Sequence, residues 1–404
     1  METKSLEQSG NLFTFENTPC VCLVDTVHDE NGNAISSFKV KASNNKEPYL
    51  YAYAPVDGLV MINKKTGSVI DEMNPMEDFL GINLKNPNEL KDYIEKYGFF
   101  MPLSAEGFAE IDFSALHKIL IHFKIVVRLL SELNAKSISY DKLFKETFAL
   151  IFDRPQSITI NSTKGELRSC LHLFTQYWFQ PDQIEEINNY VDTQTGDPYQ
   201  DYYYFPDTFT RSEKHLCYVD YHEYTDVDNA FGYEPSQTRI DISKLVYFYK
   251  NAFPADMLTR NIIDFLFHLN EEVVKIEAIF SNGIIRLKDD ISIDSLDKFT
   301  DNYKEFLRKI TKQVIKEEFD FALYSIHPTY NIETMSPGWE IPDLFTALFF
   351  SLFYMRPEYE IYRQCANPNC TRLFRVKTTN SRQMYHSPAC QNAAAQMRHR
   401  LKNK

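Results

Sequence analysis

Glycine is scarce, with 12 residues in 404, and no two of them stand at G-x-G spacing. G-x-x-x-x-G-K and H-E-x-x-H are missing as well, so dinucleotide-binding, Walker-type and zincin readings lose their local signatures. Long apolar runs are also lacking. The longest, Leu344 to Met355, is broken by Thr346 and Ser351; it is too short to cross a bilayer and reads as a buried helix. The amino terminus, METKSLEQSG, has neither a basic n-region nor an apolar h-region, so a cytoplasmic location away from membranes is expected. Seven cysteines are too few for a disulfide framework at this length, and those that cluster point to metal. Acid is absent from the whole carboxy-terminal stretch: from Ile361 to the end there is no Asp or Glu.

That same segment carries nine Lys or Arg residues, while the chain as a whole has 43 basic and 56 acidic residues, a net charge of -13. The remainder therefore holds 34 basic against 56 acidic residues, or -22. A basic tail on an acidic body implies an anionic partner for the tail, with nucleic acid the usual candidate. The plainer alternative is that the tail pairs with its own body.

Composition is that of a globular chain, 44% hydrophobic and 14% aromatic, and its length suggests two or three domains at about 150 residues each. The expected class is α+β. Residues 1–75 form a β-rich part: Pro19 to Val24, Tyr49 to Tyr53, and Leu59 to Ile62 turning through Asn63 to Gly67 into Ser68 to Ile70. Residues 76–355 form a mainly helical body. Within it Asn88 to Gly98 reads as a helix ending at glycine, and Asp112 to Leu133 as a longer one with Leu116, Ile119, Leu120, Phe123, Val127 and Leu130 on one face. An acidic, tyrosine-rich insertion lies near 190–234, helical patterns return at 240–269, and Val274 to Leu287 reads as a hairpin turning at Ser281-Asn282-Gly283. Further helices are expected at about 296–325 and 342–360.

Residues 356–404 carry the strongest signal, Cys365-x4-Cys370-x15-His386-x3-Cys390. Three thiolates and an imidazole make a closed tetrahedral zinc set, so one structural Zn(2+) on Cys365, Cys370, His386 and Cys390 is expected. The first pair spans Asn367-Pro368-Asn369, a turn that aims both sulfurs at one point. Leu373 to Val376 and Gln383 to Tyr385 have strand character around a turn at Lys377 to Ser381. Ser387 is an N-cap and Pro388 a first helical residue. Cys390, Ala393, Ala394, Met397 and Leu401 then form an apolar stripe, with Gln391, Asn392, Gln396, His399 and Arg400 facing away. A knuckle, a hairpin and a ligand-bearing helix make a treble-clef-like finger.

From about Tyr362 to Lys404 the segment resembles the bacterial CGNR-type zinc finger. The resemblance rests on Arg363, Cys365 and Cys370, Leu373-Phe374, Arg382, Tyr385, Cys390 with Asn392, and Arg398 and Arg400. The signature Cys-Gly-Asn-Arg stands here as Cys390-Gln391-Asn392-Ala393, and His386 takes the place of a usual cysteine. The resemblance implies a DNA-binding module of bacterial transcription regulators.

Three functions are compatible with these observations. The first is a regulator whose finger holds DNA or RNA through Arg372, Arg375, Lys377, Arg382, Arg398, Arg400 and Lys402, while the body senses or forms homo-oligomers. The second is a scaffold whose finger binds protein. The third is an enzyme or toxin-like effector that the finger targets, for which no catalytic residue stands out. Among weaker constellations, Cys20 and Cys22 share a strand face and read as core. His215, Cys217, His222 and Glu223 form a polar patch, and Asp25 to Asn33 a hairpin turn.

Overall fold

Two short helices begin on one four-residue signal. Asn74-Pro75-Met76-Glu77 opens α1 (Pro75–Gly81) and Asn86-Pro87-Asn88-Glu89 opens α2 (Pro87–Tyr97). In each, the asparagine side chain accepts a backbone N–H of the first turn, from Glu77 at 3.0 Å and from Asn88 at 3.1 Å. Its amide also donates to the glutamate three residues on, Asn86 Nδ2 to Glu89 Oε1 at 3.2 Å. Proline takes the first helical position, where no N–H is needed. The computed structural model describes residues 13–28, 34–43, 46–54, 58–70, 73–103, 107–135, 137–153, 155–160, 165–172, 258, 261–262, 265, 276–279, 285–287, 301–332, 335–354, 361–376 and 383–402.

The chain divides into two compact units, residues 1–134, 156–170 and 318–404 in the first and 135–155 and 171–317 in the second. The first unit opens with two three-stranded antiparallel sheets. One orders β1 (Thr14–Asn17), β4 (Tyr49–Ala54) and β5 (Gly58–Ile62) as β1-β4-β5. The other orders β2 (Cys20–His28), β3 (Ala34–Ala42) and β6 (Ala109–Ile111) as β2-β3-β6. Alternation sets the faces: Cys20 and Cys22 are buried on β2 opposite Ala42 and Val40, whereas Val21 and Leu23 are exposed. The expected turn after β5 is present, with Gly67 N–H on Asn63 O at 2.8 Å and a bridge from Ile62 to Val69.

Helix α3 (Phe113–Leu133) starts where the pattern places it. Asp112 caps it, its Oδ1 accepting from Ser114 N at 2.8 Å and Ala115 N at 3.1 Å. After β7 (Ser157–Thr159), β8 (Glu166–Arg168), β11 (His327–Asn331) and β12 (Ser336–Glu340), the apolar run forms α6 (Leu344–Tyr354), buried from Leu344 through Leu352. Aromatic rings bind these helices together: Phe123 lies edge-on to Phe79 at 5.3 Å and to Phe349 at 4.8 Å. Among the described residues no helix is long and apolar enough to cross a membrane.

In the second unit, α4 (Tyr140–Phe152) packs Phe144 and Phe148 on Phe265, which stacks on Phe306 of α5 (Asp301–Ala322). Thr147 and Thr311 meet there in a buried 2.9 Å hydroxyl pair. Thr311 donates to Leu307 O at 2.8 Å, so Thr147 donates to Thr311. The expected hairpin near residue 280 forms from β9 (Ile276–Ile279) and β10 (Ile285–Leu287). The insertion at 190–234 and most of 240–269 lie outside the described residues. Sequence periodicity passed over α1 and α4. Seven residues give α1 too few turns to show a period, but its capping signal was there to read.

The end of α2 ties the sheets to the helices. Its last carbonyls need partners from outside the helix, and side chains of three strands supply them. Asn17 Nδ2 donates to Tyr97 O and Phe99 O, both at 3.0 Å. Tyr51 donates to Tyr97 O at 2.6 Å, Cys20 Sγ to Ile94 O at 3.3 Å, and Tyr49 to Glu95 O at 3.3 Å. Gly98 then leaves the helix at φ 84°, where a Cβ would strike the Asn17 side chain and lie 2.9 Å from Thr18 O. Gly98→Ala should therefore lower stability by about 2–4 kcal/mol, from left-handed strain plus displaced Asn17 hydrogen bonds. A urea titration reads this directly; an unchanged midpoint would contradict it.

Candidate metal centre

The finger begins as a hairpin. β13 (Ile361–Gln364) pairs with β14 (Leu373–Val376), and Cys365 N–H on Arg372 O at 2.9 Å carries the ladder into the knuckle. This corrects the expected pairing of Leu373–Val376 with Gln383–Tyr385. The knuckle itself reverses the chain, so the segments flanking it are the ones that pair. Residues 383–385 form no strand and are held by single bonds, Arg363 Nη1 to Gln383 O at 2.8 Å and Ala366 N to Met384 O at 2.9 Å.

Inside the knuckle, Asn367-Pro368-Asn369-Cys370 is a tight turn closed by Cys370 N–H on Asn367 O at 2.9 Å. Helix α7 (Pro388–Lys402) starts as expected, with Ser387 Oγ accepting from Cys390 N at 3.3 Å. Its buried stripe is narrower than the sequence suggested. Ala394 is buried and Met397 half-buried, but Ala393 is exposed, as are Gln391, Asn392 and Gln396.

The four expected ligands come together. Sγ of Cys365, Cys370 and Cys390 and a ring nitrogen of His386 all lie within 4.8 Å of one another. Nδ1 of His386 is 3.7 Å from the Cys370 sulfur. Tetrahedral zinc, with Zn–S near 2.3 Å and Zn–N near 2.0 Å, needs ligand atoms about 3.5–3.8 Å apart. Donor type, number and spacing thus fit one structural Zn(2+), which would be held by these four residues with no position left for water. Electrostatics agree with a metal replacing protons. Burial, with Cys365 and Cys390 close by, pushes the Cys370 thiol up to about 12. Burial also raises Cys390, yet hydrogen bonds, that of Asn367 foremost, hold it below the usual thiol value. Burial and the nearby Arg372 keep His386 below its ordinary value, which favours the neutral, ligating imidazole.

The knuckle is docked on the α1–α2 turn. Thr371, the residue after Cys370, accepts Leu84 N–H at 2.9 Å and donates to Asn83 Oδ1 at 3.0 Å. Next to it, Arg372 Nη2 pairs with Glu89 Oε2 at 2.6 Å. Glu89 also accepts Asn83 N–H at 2.8 Å, and although its partial burial works the other way, these bonds hold its carboxyl below the usual range. The pair lines a cleft of about 310 Å³ with Asp78, Asp92, Lys96 and Tyr97, where Asp78 is paired in turn with Lys96 at 2.6 Å. None of these docking partners was evident from sequence.

The expected nucleic-acid residues fall into distinct settings. Arg398 and Arg400 are exposed on α7 and have no acidic partner among the described residues. Lys402 ends the same helix and Arg375 lies on β14. Arg372 is engaged by Glu89, while Lys377 and Arg382 lie outside the described residues, as do His215, Cys217, His222 and Glu223. Cys20 and Cys22 are 1% exposed in the core, and the hydrogen bond with Cys20, with burial added, drives the Cys22 thiol far up, so it is inert.

Replacing Cys390 with Ser should abolish stoichiometric zinc, read by metal analysis of the purified protein, and lower the melting temperature of the whole chain, because the knuckle it completes is bonded to α1–α2. Full zinc content in that variant would refute the ligand set.

No curated protein and no solved structure matches the chain. Residues 362–403 match the family model of the CGNR zinc finger, so the cluster of three cysteines and one histidine sits in a finger of that family.

Proposed function

We propose that the protein is a DNA-binding regulator whose zinc finger grips phosphate, with the acidic body sensing a signal or forming a homo-oligomer. One observation carries this reading most: α7 starts at a metal ligand, contains no acid, and ends with Arg398 and Arg400 exposed and unpaired among the described residues. A zinc-anchored helix presents those charges at a fixed angle, so little ordering entropy remains to be lost on binding. Arg375, Lys377 and Arg382 add positive charge to the same segment of sequence. Arg372 serves docking instead, since its ion pair with Glu89 would have to break before it met a phosphate. RNA offers the same phosphate chemistry, and competition between duplex DNA and RNA separates the two.

Each phosphate contact should contribute about 0.9 to the slope of log K against log salt. Changing Arg398, Arg400 and Lys402 together to Ala should weaken binding to all sequences alike and reduce the slope by about two to three. Zinc content should stay at one, because none of the three is among the four candidate ligands. An unchanged slope would mean that α7 does not face phosphate, and the finger would then be read as a protein-binding module.

A further inference from the structure

Asn367 lies in the knuckle, 9% exposed, and is itself no metal ligand. Its side chain makes two contacts. Oδ1 takes the backbone N–H of Asn369 at 3.1 Å, and Nδ2 reaches Cys390 Sγ at 3.4 Å, 23 residues along the chain. The two ends of a carboxamide are told apart by their partners. The Asn369 amide can only donate, so oxygen faces it and the NH2 faces sulfur.

The backbone of Asn367 is pinned as well, by Cys370 N–H on its carbonyl and by Pro368 at the second turn position. Cys390, by contrast, arrives on a different element, α7, and is the least buried of the three clustered thiols. The knuckle fixes Cys365 and Cys370 through its own turn. Across the gap to α7, the Asn367 amide is a knuckle side chain, itself no ligand, that donates to the third sulfur.

We propose that Asn367 is a positioning residue of the zinc site: its NH2 places the Cys390 sulfur against the knuckle pair and carries part of the thiolate charge in an N–H···S bond. Hydrogen bonds to ligands from outside the coordination shell commonly set metal affinity as well as geometry.

The test uses the full chain with Asn367→Asp and Asn367→Ser. Both retain an oxygen able to accept the Asn369 N–H, as Asx- and Ser-turns do, and both lack the N–H donor. Zinc affinity is measured by chelator competition, and sulfur-to-metal charge-transfer bands are recorded after cobalt(II) substitution. Affinity should fall about 10–100-fold in both variants, and the bands should shift because one sulfur has lost its hydrogen bond. Shifted bands support the proposal whatever the size of the affinity loss. Unshifted bands in either variant overturn it, since Asn367 would then serve the turn alone. A variant that takes up no cobalt overturns it too, because losing one such bond should weaken binding, not abolish it.

Discussion

The backbone groups at the ends of α1 and α2 must be satisfied away from water, and neither short helix can do this alone. The rest of the first unit is arranged around that need. At the end of α1, Lys124 of α3 donates to Leu80 O at 3.1 Å and Ile82 O at 2.6 Å. It does so fully buried, 5.6 Å from the Phe79 ring centroid, and burial together with Arg128 brings its ammonium down to about 7. At the end of α2, Asn17, Cys20, Tyr49 and Tyr51 perform the same task from three strands. The turn between the helices is completed by Glu89 on Asn83 N–H and by Thr371 on Leu84 N–H. Sheets, long helix and finger therefore meet on one small segment, each by supplying a hydrogen bond that the segment lacks.

This arrangement gives the metal a reach beyond the finger. Zinc held by the four clustered residues would fix Cys370, which carries Thr371 and Arg372 directly behind it. These two residues hold Asn83, Leu84 and Glu89, and Glu89 also accepts from Asn86, the residue that caps α2. The face turned toward the α1–α2 turn is engaged in docking, while α7 carries the exposed Arg398 and Arg400 of the finger.

Legibility followed the range of the physics. The ligands of the metal site could be read because four side chains of the right chemistry fall within 26 positions at knuckle spacing. Asp112, Gly98 and the Ser387-Pro388 pair marked helix ends because capping is settled within one turn. The docking of Thr371 was hidden because its partners lie 287 and 288 residues away, and no local pattern encodes that distance. The strand partner of Leu373–Val376 is not legible because periodicity identifies a strand but does not select its neighbour. Arg372 looks like its basic neighbours in sequence, and only the position of Glu89 shows that it is held in an ion pair.

Amide hydrogen exchange at Leu84, followed in the zinc-loaded chain and after the metal is stripped by a chelator, tests the link between finger and body. Leu84 N–H depends on the Thr371 hydroxyl, one residue from a zinc ligand. Zinc removal should speed exchange at Leu84 markedly, while amides deep in α3 such as that of Phe123 stay protected. Equal protection of Leu84 with and without zinc would contradict the account, because the α1–α2 turn would then hold its structure without the metal-ordered knuckle.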